Sequence, residues 1–71
     1  MIWEGTSPFI VENFPEGEVQ IHTDADITVE FWFPKKNDWG DPIAITAPGD
    51  FVGCGGNRGR LVGAANVRIL R

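Results

Sequence analysis

In ITVEFWF, residues 27–33, Ile27, Val29, Phe31 and Phe33 fall on one side of an extended chain, and Thr28, Glu30 and Trp32 fall on the other. A stretch with that period buries one face as a strand. It cannot pack as a helix, whose contact stripe needs apolar residues three and four apart. EVQIHT, residues 18–23, repeats the alternation with Val19 and Ile21. Further short strand candidates are FIVEN (9–13), IAIT (43–46), DFVG (50–53), RLVG (60–63) and NVRIL (66–70), and no window of helical length shows helical spacing. Between them lie Pro15–Gly17, Thr23–Asp26, Pro48–Asp50, Gly53–Gly59 and Gly63–Asn66. All are rich in the Gly, Pro and Asx residues that adopt turn conformations. The longest connection is PKKNDWGDP, residues 34–42. Six or seven short strands at intervals of roughly ten residues predict an all-β fold, a small antiparallel β-sandwich or barrel. The prediction covers residues 1–71 as a single domain.

A chain of 71 residues buries only roughly 60 per cent of its unfolded surface, so its core is marginal. Domains of this size add disulfides, a metal or self-association. Cys54 is the only cysteine, which excludes an internal disulfide and leaves no second thiol for a zinc site. Self-association is the remaining route, so a homo-oligomer is expected. MIWEGTSPFIVENF has neither the basic start nor the apolar run of a secretory leader. No stretch approaches the ~20 apolar residues of a membrane span. The expectation is a cytoplasm-made protein without a membrane partner.

Charge is unevenly placed. Residues 1–33 hold seven carboxylates and no Lys or Arg, whereas residues 34–71 hold six bases against three acids, giving −7 beside +3. Either a basic face meets an acidic partner, or the two halves pair with each other, within one chain or between neighbours. Strands of opposite charge laid side by side gain cross-strand pairs, which favours the second.

FVGCGGNRGRLVG, residues 51–63, packs glycine around arginine. A phosphate loop needs a Lys followed by Ser or Thr and then a helix. Neither is present, and a dinucleotide site needs a βαβ unit. Gly55-Gly56-Asn57 instead suits a tight hairpin. HTDAD, residues 22–26, puts one imidazole near two carboxylates, a set that binds metal or does acid–base work in other contexts. The simpler reading is a hairpin turn with His22 facing solvent, and no metal and no cofactor are assigned. Cys54 and His22 would form a nucleophile and base only if the fold joined them, and no catalytic residues are assigned.

The tryptophans carry more information. Trp32 lies on the otherwise polar face of its strand, Trp39 lies in a polar loop and Trp3 stands near the start. Trp and Arg are enriched where proteins bind one another. The candidate interface is therefore Trp3, Trp32, Trp39, Arg58 and Arg60. The competing reading has equal weight: the 34–42 loop and the N-terminal segment fold back and cover Trp32. Lys35 and Lys36 beside these aromatics would also suit a small β-barrel binding single-stranded nucleic acid or a host protein. A sequence pI near 4.6 speaks against nucleic acid.

Thr46-Ala47-Pro48-Gly49 and Gly59-Arg60-Leu61-Val62-Gly63-Ala64, set after FPEGEVQIHTDADITVEFWFP, carry a resemblance. The chain resembles small β-sheet virion proteins of tailed bacteriophages from about Phe14 to Leu70. That resemblance implies a viral structural protein for capsid decoration or cementing of the phage head. Its partners would be itself, as a trimer, and the major capsid protein, and its place would be the virion. The chain is shorter than many such proteins and its central loop is abbreviated, so a tail or fibre component reads similarly.

Overall fold

The computed structural model covers residues 1–71 and contains only strands: β1 (Trp3–Val11), β2 (Glu16–Thr23), β3 (Ile27–Phe33), β4 (Asp38–Trp39), β5 (Ile43–Ile45), β6 (Gly49–Gly55) and β7 (Gly59–Leu70). All seven belong to one antiparallel sheet ordered β4-β3-β7-β2-β6, with β1 also on β7 and β5 also on β3. The all-β expectation is met, in the form of an open, folded sheet rather than a closed barrel.

The long β7 organises the rest. Gln20 to Thr23 of β2 pair with Leu70 to Val67, and Thr28 to Phe31 of β3 pair with Val62 to Gly59. The register is the same on both sides of the gap. Thus β2 and β3 are two arms of one bent strand laid along β7, and they do not pair with each other. The hairpin expected at residues 22–26 is a corner. Its local residues suit either shape, and the choice is made by pairing with β7.

Two further turns are corrected in the same way. Gly63–Asn66 does not separate two strands; it lies inside β7, where Val62, Gly63 and Ala64 stand opposite the single residue Pro8 of β1. Gly63 has φ +105°, a conformation a side chain resists, and this lets β7 bulge without breaking. The buried Ser7 fastens the bulge by donating its hydroxyl to the Gly63 carbonyl at 2.5 Å. Gly55-Gly56-Asn57 does contain a turn, with Gly56 at φ +72°. It is not a hairpin, because β6 pairs with β2 while β7 pairs with β1, β2 and β3.

The inner faces of the folded sheet meet in one core of thirteen residues. Val19, Val29, Leu61 and Ile69 are fully enclosed within it. Phe14, in the β1–β2 connection, packs edge-on against Phe31 at 5.2 Å and closes one end. The alternating residues of β2, and of β3 as far as Phe31, therefore point where their period requires, whereas Phe33 at the end of β3 runs past the core and is exposed. Charge pairing between the halves occurs within the chain, since Glu30 pairs with Arg60 and Glu4 stands opposite Arg68.

Candidate functional site: a tryptophan and arginine face

Residues 34–37 turn the chain back, with Lys36 N–H donating to Phe33 O at 3.1 Å and Asn37 N–H to Pro34 O at 3.2 Å. The returning β4 puts Trp39 directly opposite Trp32. Their rings meet edge to face at 5.3 Å, a favoured aromatic geometry. The loop thus folds back over Trp32. The N-terminal segment does not, because Trp3 lies on β1 opposite Ile69 and stacks on Phe9 at 5.0 Å. Four of the five candidate residues come together and Trp3 stands apart.

The arginines complete the cluster. Arg58 and Arg60 are two apart on the outer side of the chain entering β7. The Arg58 guanidinium lies 4.7 Å from the Trp32 ring centre and 5.9 Å from that of Trp39. Arg60 lies 4.6 Å from Trp39. Each such contact contributes about 0.5–1 kcal/mol at an exposed site. Glu30, directly across from Arg60, holds the second guanidinium by an Nε–H bond to Oε1 at 2.7 Å and an Nη contact at 2.5 Å. The Glu30 side chain is only 16% exposed. Asn57 donates its amide to the Trp32 carbonyl, tying the β6–β7 connection to the same strand.

Glu30 and Asn57 are the participants that sequence reasoning missed. The alternation of β3 does put Glu30 on the face of Trp32, but its partner depends on the β3–β7 register. Beyond this cluster, Ile10 and Val62 lie on the same outer face, beside Arg60 and Thr28, and both are exposed. A depression lined by Phe33, Lys36, Trp39, Asp41 and Ile43 adjoins the tryptophan pair.

The other sequence candidates serve the fold. Asp24 bonds to Asn66, and Asp26 accepts the Ala47 N–H at 2.9 Å. No group of three or more His, Cys, Asp or Glu side chains is placed to share a metal ion. Cys54 is buried on the inner face of β6 and its thiol donates to Gly17 O at 3.2 Å. Burial pushes its pKa up, and Arg71 offsets this in part. His22 is exposed and opposite Gly49, five positions along the ladder from Cys54, a separation of about 17 Å at strand spacing. The two do not meet.

No family model, curated protein or solved structure matches the chain. What distinguishes this surface is its chemistry: two indoles and two guanidiniums held in fixed mutual orientation by a carboxylate and by the ladder beneath them.

Proposed function

We propose that the protein is a non-enzymatic structural component that seats its Trp32–Trp39–Arg58–Arg60 face on a partner protein in a larger assembly. The observation that carries this reading is the stacking of Arg58 and Arg60 on the paired indoles. It gathers the residue types that dominate protein interfaces, and it fixes their rotamers before any partner arrives. The bordering Ile10 and Val62 supply apolar rim area. Each indole has a guanidinium over one face, where a base would otherwise stack, which favours a protein partner over single-stranded nucleic acid. The phage-like sequence features make capsid decoration the specific form of the proposal. The major capsid protein is then the partner and the virion the location, and many modest contacts repeated over a lattice give the attachment its strength.

The test is co-sedimentation of the purified chain with emptied phage heads, repeated with Trp39→Ala and Arg58→Ala. Loss of an interface anchor weakens attachment by about 2 kcal/mol or more, close to thirtyfold, while the sheet stays folded. Equal attachment by wild type and both variants defeats the assignment of this face. Salt-dependent retardation of oligonucleotides by a folded monomer points to nucleic acid instead.

A further inference from the structure

Strand β6 ends the sheet: one side pairs with β2 over seven residues in unbroken register, and the other side pairs with nothing. Other free edges are short or interrupted. β4 and β5 are two and three residues long, and β1 carries Pro8 and a register shift, devices that blunt an edge. Residues 51–55 of β6, Phe-Val-Gly-Cys-Gly, hold no charge and no proline.

The direction of its backbone groups can be read from neighbouring bonds. Thr23 N–H donates to Pro48 O, which turns the odd-numbered residues of β2 toward β6 and the even-numbered residues of β6 toward β2. Phe51, Gly53 and Gly55 therefore aim their N–H and C=O groups at the open side. The Phe51 N–H agrees, since it is taken up by the adjacent Asp50 carboxylate at 2.8 Å rather than by the ladder.

The same odd-numbered residues face outward. Val52 and Cys54 point into the core, whereas Phe51 is 59% exposed and its neighbours on that face are Gly49, Gly53 and Gly55. Gly49 is required by the fold, because a Cβ there would lie 2.0 Å from the Ile21 carbonyl oxygen. Gly53 and Gly55 are not. Neither has a positive φ, and a Cβ on either meets nothing within 4 Å. Glycine weakens a strand interior by roughly 0.5–1 kcal/mol. Where no bulge explains it, it marks the close approach of another backbone or a ligand.

We infer that β6 is a strand-pairing edge for a second copy of this chain, related by a two-fold axis through Val52. Full antiparallel overlap of residues 49–55 places Phe51 of each copy across from Gly53 of the other. Each ring then covers a glycine backbone, a cross-strand arrangement that offsets glycine's weakness. The strand thus supplies both the aromatic and the bare backbone it covers, a self-complementary pattern that a two-fold interface requires. The Asp50 carboxylate holds the Phe51 N–H until the Gly53 carbonyl of the second copy takes its place. This edge is separate from the tryptophan and arginine face, so either assignment can fail without the other.

Sedimentation equilibrium of the full chain tests it. The expected mass rises from 7.8 kDa toward twice that value as concentration goes from about 1 μM to about 1 mM. Amide exchange at Phe51, Gly53 and Gly55 slows over the same range. Gly53→Lys, whose side chain enters open space in the single copy, raises the dimer Kd at least tenfold, and so does Phe51→Ser. Trp32→Ala leaves it unchanged. A chain that stays at 7.8 kDa throughout, a trimer, or a dimer that both edge variants leave intact overturns the inference.

Discussion

Asp24 and Asn66 are joined by three hydrogen bonds at the corner where the bent strand passes from β2 to β3. Asp24 N–H donates to Asn66 O at 3.2 Å, and the backbone and side-chain amides of Asn66 donate to the two carboxylate oxygens at 2.8 and 2.7 Å. The carboxylate accepts the Asn66 N–H in place of the Asp24 backbone carbonyl, so this donor of β7 stays paired where the strand bends.

These bonds favour the ionised carboxylate. The Asn66 side-chain bond is the largest cause, and Asp24 titrates below its ordinary 3.8. A folded pKa below the unfolded one means that the contribution is present above the unfolded value and is lost as pH falls through the folded one. Asn66→Ala is expected to move the Asp24 titration, followed by NMR, up toward 3.8. The same variant flattens the part of the acid-unfolding curve just below that pH. A titration midpoint equal to that of wild type counts against this account of the corner.

The corner also shows where reading the sequence stops. The alternation of Val19, Ile21, Ile27, Val29 and Phe31 identifies the buried face correctly, because side-chain period is a local property of an extended chain. Whether Thr23–Asp26 reverses the chain or only bends it is decided by residues 63–66, some forty positions away, and Asx-rich segments look alike in both cases. Gly63–Asn66 misleads for the same reason: a small-residue stretch inside a long strand has the composition of a turn. NVRIL, one short strand candidate among several by composition, is central because both β1 and β2 pair with it. Trp32, Trp39, Arg58 and Arg60 stood out by residue type and by exposure of their face. Their union, and the part played by Glu30, required the β3–β7 register. Trp3 shares their chemistry but sits on a strand that pairs only with β7.

Leu61 is fully buried where β1, β7 and β3 converge, opposite both Phe9 and Val29. Truncation leaves a cavity that the ladders on either side prevent from collapsing. Leu61→Ala is expected to cost about 2–5 kcal/mol in urea unfolding, a large part of the stability of a domain this small. Val62→Ala, on the exposed face of the next residue, is expected to change it by less than about 0.5 kcal/mol.

Cys54 should behave as an inert core side chain. Burial raises its pKa above the ordinary 9.0, so little of the reactive thiolate is present near neutrality. Labelling by a neutral disulfide reagent is expected to be slow in buffer and to accelerate sharply through the urea transition. Its rate in buffer should follow the population of opened molecules. Rapid, urea-independent labelling would place the thiol at the surface and contradict the packing of β6 on the core.

Two glycines that look equivalent in the sequence should respond in opposite directions. Gly63 holds φ +105°, and an added Cβ would lie 3.4 Å from both the Asp26 carbonyl oxygen and Ile27 Cγ2. Gly63→Ala must therefore either strain the bulge or flatten it against Ser7, and the expected loss is about 1 kcal/mol or more. Gly53 has ordinary strand geometry and open space above it. Gly53→Ala restricts the unfolded chain without cost to the fold and should raise stability by roughly 0.5–1 kcal/mol, measured at dilution where single copies predominate. If both substitutions destabilise equally, the glycines of β6 serve the folded chain itself, and the bulge of β7 loses its special claim on a residue without a side chain.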